Sequence, residues 1–171
     1  PAAVFAAFDG KREKTFESAT KLLLTPGTAQ VYYGDESGRN LVIEGTKGDA
    51  TLRSFMNWED IKNNPTTQKT LAHWQKLGQF RKNHPAVGAG VHQKISASPY
   101  VFSRTFFQEN YTDQVVVGLD LTKGKKTIPT GTIFQNGAKL IDAYSGKEAV
   151  VTNGKVTVDS EYDLVLLELK K

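Results

Sequence analysis

The chain has 171 residues, of which 39% are hydrophobic and 23% charged, a composition typical of a globular protein with a packed core. It contains no cysteine, which excludes disulfide bonds, thiolate zinc sites, iron–sulfur clusters and cysteine nucleophiles. His73, His84 and His92 lack the spacing of a helical zinc site, so the sequence predicts no metal centre. No apolar run approaches the roughly 20 residues of a membrane span.

The net charge of +4 gives no indication of a polyanionic partner. The densest basic run, Lys123 to Lys126, falls in a predicted turn and is interpreted as a solvated loop. The sequence therefore predicts neither a nucleic-acid partner nor a membrane span.

The first half of the sequence shows helical and strand patterns in turn. Apolar residues recur at helical spacing from Thr15 to Thr25, and Pro26 ends this predicted helix. A β-branched and aromatic run from Thr28 to Tyr33 predicts a strand buried on both faces. A second helix is predicted from Pro65 to about Asn83, with Asn64 as its cap. Its apolar stripe consists of Leu71, Trp74, Leu77 and Phe80.

The connection between the predicted strand and the second helix is unusually long, about thirty residues where two to six are typical. Connections of this length are usually functional, and the loops after parallel strands lie on the face that carries active sites. Residues 34–64 are therefore predicted to lie at a site. The order helix, strand, helix indicates the end of a larger α/β domain.

The second half of the sequence has the period-two alternation of strands. Apolar residues alternate from Val101 to Phe107, from Val115 to Leu121 and again near the end of the chain. Turn dipeptides at Asn136-Gly137, Ser145-Gly146 and Asn153-Gly154 separate these runs. We expect an α+β chain with two domains, residues 1–86 and an antiparallel β-sandwich over residues 87–171.

Several side chains are candidates for chemistry, each with a structural alternative. Adjacent residues rarely converge on one substrate atom, so a structural role is favoured for Asp35 and Glu36, in which one carboxylate caps backbone amides or pairs with Arg39. Asp49 and Arg53 are four residues apart, which from spacing alone favours a surface ion pair. Trp58 is more often a packing residue than a sugar platform. Packing is also the favoured role of four aromatic residues in the second half, Tyr100, Phe106, Phe107 and Tyr111.

Three segments together resemble one known family. The run TPGTAQVYYGDESGR, Thr25 to Arg39, resembles the eighth-strand segment of the α-amylase family of glycoside hydrolases. A loop with Asp49-x-x-x-Arg53 follows, and then LAHWQKLGQFRKNHPAV, Leu71 to Val87, which is similar to the last helix of the family's barrel. VFSRTF and DQVVVGLDL resemble the opening strands of the C-terminal β-sandwich.

The resemblance implies that residues 1–86 are the last β/α portion of a (β/α)8 barrel and that residues 87–171 are the C-terminal β-sandwich domain. It implies retaining hydrolysis of α-glucosidic bonds in starch-like glucans, by carboxylates that lie upstream of this chain. No catalytic residue is therefore expected here, and the chain alone is expected to be inactive. Asp49 and Arg53 match a family pair that binds a glucose unit, so the resemblance favours substrate contact for both.

The resemblance also implies partners and a location. The implied partners are an α-glucan or maltooligosaccharide and the missing N-terminal part of the same barrel. The implied location is bacterial: secreted, periplasmic or at the cell surface. No cofactor is expected in this chain, although the parent enzyme of this family can bind calcium. Two alternatives stay open, a non-catalytic carbohydrate-binding or interaction module and a transglycosylase or noncatalytic relative.

Overall fold

A computed structural model describes residues 13–39 and 43–170 of the chain. Residues 1–12 of the predicted first domain, residues 40–42 of the predicted long loop and Lys171 lie outside the described residues. The chain divides into two compact units, Pro1–Gln79 and Phe80–Lys171. The domain boundary between residues 86 and 87 stays a prediction from sequence. Within the described residues, no helix combines the length and hydrophobicity needed to cross a membrane.

Two of the three helices described between residues 13 and 83 lie where local signals predict them. Helix α1 spans Glu13–Leu24 and stops before Pro26. Helix α2 spans Trp58–Asn63, and helix α3 spans Pro65–Asn83. Asn64 caps α3 as predicted, because its Oδ1 accepts hydrogen bonds from the backbone N–H groups of Thr66 at 2.9 Å and Thr67 at 3.3 Å.

Helices α1 and α3 pack through one histidine. The ring of His73 on α3 stacks on Phe16 of α1, with ring centroids 4.7 Å apart. Its Nε2 also lies 3.1 Å from Thr20 Oγ1 and 3.0 Å from the carbonyl oxygen of Phe16. The side chains buried around this contact are Ala19, Leu23, Leu24, Trp74 and Leu77. His73 is therefore a structural residue of the helix pair.

The predicted strand from Thr28 to Tyr33 is absent, which corrects that expectation. These residues form irregular backbone, and the described residues of the first unit contain no strand. A strand needs the backbone of a neighbouring strand as its hydrogen-bonding partner, and no strand of the described first unit supplies one. Two short 3₁₀ turns, Asp35–Ser37 and Gly48–Leu52, follow in the long connection.

The second unit is antiparallel β structure, as predicted. Its strands are β1 (Val91–Ala97), β2 (Tyr100–Gln108), β3 (Tyr111–Leu119), β4 (Gly124–Pro129), β5 (Lys139–Asp142), β6 (Glu148–Val150), β7 (Lys155–Ser160) and β8 (Val165–Leu169). One sheet has the order β1-β2-β3-β8-β5-β6, and a second sheet pairs β4 with β7. The last strand in sequence thus lies inside the larger sheet.

The two sheets share one hydrophobic core. It contains Val101, Val116, Leu121, Ile128, Phe134, Leu140, Val151, Val156, Val158, Val165 and Leu167. Alternate residues of β3 face opposite sides of its sheet, and Val115, Val116 and Val117 are all buried. Both faces of this strand are therefore covered. On one side the cover includes helix α4 (Pro85–Ala89), where Ala86 and Val87 are buried.

The turn dipeptides occupy the positions that glycine and asparagine favour. Asn153 and Gly154 have φ angles of 52° and 68°, as a two-residue hairpin turn of type I′ requires. Thr152 and Lys155 flank the turn and exchange backbone hydrogen bonds at 2.8 and 3.1 Å. The sequence signal for this hairpin is therefore confirmed.

Candidate functional site

Two segments of the first unit, residues 32–39 and 48–57, are joined by hydrogen bonds. The hydroxyl of Tyr33 donates to the carbonyl oxygen of Ser54 at 3.1 Å. Asn57 and Ser37 bond to each other twice, with Ser37 Oγ to Asn57 Oδ1 at 2.7 Å and Asn57 Nδ2 to the carbonyl oxygen of Ser37 at 3.2 Å. These two segments form the candidate site, because they carry the residues that the sequence singles out.

Asp35 and Glu36 cap backbone amides, as their structural interpretation predicts. The N–H of Tyr32 donates to Asp35 Oδ2 at 3.2 Å, and the N–H of Gly34 donates to Glu36 Oε2 at 2.9 Å. Burial raises the pKa of Asp35, and the hydrogen bond from Tyr32 partly opposes this effect. Both carboxylates thus stabilise the turn and are not arranged as an acid–base pair.

Arg39 is the residue of this site that sequence reasoning underestimated. Its guanidinium does not pair with either acid but donates to the carbonyl oxygens of Tyr33, Leu52 and Ser54, at distances between 2.9 and 3.2 Å, and to Ser54 Oγ. Its guanidinium carbon also lies 4.0 Å from the ring centroid of Tyr33. Only 2% of the residue is exposed. The run from Thr25 to Arg39 contains it, but the sequence did not reveal its role, since its partners on the second segment are the backbone groups of Leu52 and Ser54.

Asp49 and Arg53 lie at the start and just past the end of the 3₁₀ turn Gly48–Leu52. Both are exposed to solvent. Both residues belong to the described part of the chain, and no hydrogen bond or ion pair joins their side chains. The surface ion pair that their spacing favours is therefore not formed. The backbone N–H of Arg53 donates to the carbonyl oxygen of Ala50 at 3.2 Å, which closes the turn. Their role as substrate contacts stays a prediction.

Two large apolar side chains follow Arg53 and are exposed. Phe55 is 97% and Trp58 68% exposed. The packing role expected for Trp58 is wrong for this chain, because helix α2 has no buried residue. Trp74 on α3 is buried, as its place on the predicted apolar stripe requires. The candidate site therefore combines two exposed charges with exposed aromatic surface.

The aromatic side chains of the second unit do not form one flat platform. Tyr100 and Phe106 are half-buried, whereas 72% of Phe107 is exposed, and Tyr111 is exposed as well. Phe106 and Tyr111 meet edge to face with ring centroids 6.3 Å apart. Phe107 is the next residue along β2 from Phe106, so it points to the opposite face of the sheet.

The second unit also contains a buried cluster of titratable groups. His84 Nδ1 lies 2.7 Å from Asp113 Oδ1, and His84 Nε2 contacts Glu168 Oε2. The N–H of Ala86 donates to Asp113 Oδ2 at 2.8 Å. Both ring nitrogens therefore face carboxylates. Across residues 13–39 and 43–170, no group of three or more His, Asp or Glu side chains is arranged to hold a metal ion.

Known proteins resemble this chain in sequence and in structure. No protein-family model matches it. It is 46% identical over 106 residues to the periplasmic α-amylase of Escherichia coli strain K12, a match that covers 62% of the chain and 15% of that relative. A crystal structure of AmyP in complex with maltotriose matches with a TM-score of 0.65 and 17% identity, over 93% of the chain and 35% of that protein. The α-amylase of Geobacillus thermoleovorans in complex with acarbose matches with a TM-score of 0.61 and 19% identity, over 96% and 36%.

The chain thus spans 15% of the length of the periplasmic α-amylase and about a third of the length of the two solved structures. The solved structures share its fold, and the periplasmic relative is similar to it in sequence over 106 residues. These similarities confirm the resemblance inferred from residues 25–39, 49–53 and 71–87, since the chain is homologous over 106 residues to a periplasmic α-amylase.

Proposed function

We propose that the chain is the C-terminal part of an α-amylase-like glycoside hydrolase, with the last β/α portion of the (β/α)8 barrel followed by the β-sandwich domain. The complete enzyme cleaves α-glucosidic bonds in starch-like glucans. The 46% identity to a periplasmic α-amylase carries the proposal. The maltotriose bound to AmyP, which shares the fold, supports an α-glucan or maltooligosaccharide as substrate.

The proposed reaction proceeds with retention of anomeric configuration. Such a reaction needs a nucleophilic carboxylate and a general acid about 5 Å apart. Asp35 and Glu36 are bonded to backbone amides, so we assign the catalytic acids to a region upstream of this chain. Asp49 and Arg53 then act in binding, because a carboxylate and a guanidinium offer charged hydrogen-bond partners to sugar hydroxyls.

The proposed location is the periplasm or the outside of a bacterial cell, as for the homologue. Calcium, which the family implies for the complete enzyme, is assigned no ligands in this chain, because the described residues form no group of three His, Asp or Glu side chains that could hold an ion. No step of the proposed reaction uses it.

Kinetics of the complete polypeptide that contains this chain test the role of the pair. Asp49→Ala and Arg53→Ala should each lower kcat/KM on a maltooligosaccharide by about ten- to a hundredfold, because a hydrogen bond to a charged group is lost in each. Glu44→Ala and Lys47→Ala are matched controls, as both are exposed charges of the same connection. The controls should leave kcat/KM unchanged.

The same preparation distinguishes the alternatives. Proton NMR of the first product should show the α-anomer if the reaction retains configuration. Unchanged kinetics in both Asp49→Ala and Arg53→Ala would show that the two residues are exposed surface charges that do not bind substrate. Binding of maltooligosaccharide without any hydrolysis by the complete polypeptide would favour the non-catalytic carbohydrate-binding module instead.

A further inference from the structure

Arg39 connects the two segments of the candidate site through a buried guanidinium. All of its hydrogen-bond partners in the described residues are carbonyl oxygens and one hydroxyl, with the ring of Tyr33 on one face. A buried charge is costly unless polar groups surround it, and here the backbone dipoles of two segments do so. The arrangement therefore holds both segments to the same cation.

The partners of Arg39 lie on either side of Arg53. Nη2 of Arg39 donates to the carbonyl oxygen of Leu52 at 3.1 Å, and Nη1 of Arg39 donates to the carbonyl oxygen of Ser54 at 2.9 Å. The backbone before and after Arg53 is thus fixed to one planar group. A planar fork with several donors can hold both carbonyl groups at once, whereas the point charge of a lysine ammonium cannot reproduce that geometry.

We propose that Arg39 is a positioning residue for substrate binding: it fixes the backbone around Arg53 so that this exposed guanidinium is aimed at the sugar before substrate arrives. The inference rests on the proposed function, since it assigns the sugar contact to Arg53. Preorganisation of this kind lowers the ordering cost of binding. Its loss should raise KM more than it lowers kcat.

A conservative substitution tests the first step in the 171-residue chain. Arg39→Lys should accelerate hydrogen exchange at the amide of Arg53, whose N–H donates to the carbonyl oxygen of Ala50, by about tenfold or more, because the flanking carbonyl groups lose the shared donor that holds this turn in place. Arg104→Lys is the matched control, since Arg104 is a buried arginine of the second unit that donates to His92 and to the carbonyl oxygen of Val87. It should leave exchange at the amide of Arg53 unchanged. Unchanged exchange in Arg39→Lys overturns the proposal.

A double-mutant cycle in the complete polypeptide tests the second step. Arg39→Lys should raise KM about tenfold in the native background and have no further effect in the Arg53→Ala background. Losses that multiply in the double variant would overturn the proposal, because Arg39 would then act independently of Arg53. Ser54→Ala removes only a hydroxyl partner of Arg39 and provides a milder variant if Arg39→Lys fails to fold; it should show the same dependence on Arg53.

The two hypotheses fail in different ways. An Arg53→Ala variant with native kinetics would overturn the proposed sugar contact and the positioning role with it. An Arg53→Ala variant with impaired kinetics, beside an Arg39→Lys variant with native KM and native exchange, would overturn only the positioning role.

Discussion

Gly34 shows how closely Arg39 is packed against the turn that follows Tyr33. A Cβ atom at Gly34 would lie 2.3 Å from Arg39 Nε, and the residue has a φ of +89°. Only glycine meets both requirements, because other residues rarely adopt this φ and would collide with the guanidinium. The glycine is therefore part of the Arg39 arrangement and not only of the turn.

Two glycine substitutions separate backbone strain from the collision. Gly34→Ala should cost about 3 kcal/mol locally and raise the rate of tryptic cleavage after Arg53 by about tenfold or more. Gly27→Ala, at a φ of +94° with nothing within 4 Å of the added Cβ, carries the strain alone and should have little effect on that cleavage. Equal cleavage rates in the two variants would show that Arg39 does not depend on Gly34.

His92 gives the second unit a predictable response to pH. Partial desolvation, and then the charge of Arg104, lower the pKa of His92 below its usual value of 6.5, although the residue is exposed at the surface. Its Nδ1 accepts a hydrogen bond from Arg104 Nε at 2.9 Å, which requires an unprotonated nitrogen. As pH falls below the pKa that His92 has in the unfolded chain, the unfolded chain binds a proton, whereas the folded chain binds that proton only at lower pH. Neutral His92 thus makes its full contribution to the free energy of unfolding above the pKa it has in the unfolded chain, and this contribution decreases as the solution is acidified.

Thermal melts test the predicted direction of this pH dependence. Between about pH 8 and about pH 5, the melting temperature of the native chain should fall further than that of His92→Gln, which keeps a polar side chain but does not titrate in this range. Parallel curves for the two proteins would contradict the assignment.

At the scale of single residues, the sequence predicted caps and missed long-range partners. Asn64 was identifiable because its side chain caps the amides of the next few residues. Asp35 and Glu36 were identifiable because each bonds to an amide only a few residues before it. Arg39 bonds to carbonyl groups 13 and 15 residues further along the chain. Such contacts depend on tertiary packing, which no local pattern encodes.

Among the elements, helix α4 is more closely tied to the sheet than its five residues suggest. The N–H of Ala86 donates to Asp113 on β3, and the carbonyl oxygen of Val87 accepts from Arg104 on β2. His84, directly before α4, contacts Asp113 and Glu168. Because Asp113 is only 8% exposed, its carboxylate oxygens depend on His84 and Ala86 for hydrogen bonds.

Two segments test this dependence. Residues 80–171 should fold cooperatively and exceed residues 90–171 in free energy of unfolding by about 3 kcal/mol or more, since the shorter segment leaves Asp113 without His84 and Ala86. Urea unfolding measures the difference. Asp113→Asn is the diagnostic variant: it should stabilise residues 90–171 and destabilise residues 80–171. Equal stability of the two segments would show that the β structure begins at Gly90 and does not need α4.

Element prediction succeeded where the signal was local. Helices α1 and α3 and the hairpin at Asn153-Gly154 follow from caps, proline positions and turn residues. The run from Thr28 to Tyr33 has the composition of a buried strand, yet composition does not supply a neighbouring strand. Pairing is a property of the sheet, and the described first unit provides no partner for this run.

The whole chain, purified alone, should not hydrolyse starch or maltooligosaccharides. Retaining hydrolysis needs two carboxyl groups about 5 Å apart at the sugar, and the adjacent acids of the candidate site are bonded to the turn backbone. A reducing-sugar assay should match the buffer blank, while the complete polypeptide serves as the positive control. Sugar release by the 171-residue chain, in a preparation free of the complete enzyme, would overturn the upstream assignment of the catalytic acids.

The strand order of the larger sheet has a consequence for synthesis. Strand β8, Val165–Leu169, pairs with β3 on one side and β5 on the other, so the final residues of the described chain join the two parts of the sheet. A nascent chain leaves the ribosome from its N-terminus, so the edge of β3 that pairs with β8 stays without a partner until β8 emerges. A stop codon after residue 164 should thus release a chain whose β1-β2-β3 and β5-β6 strands remain separate, and which is prone to aggregation.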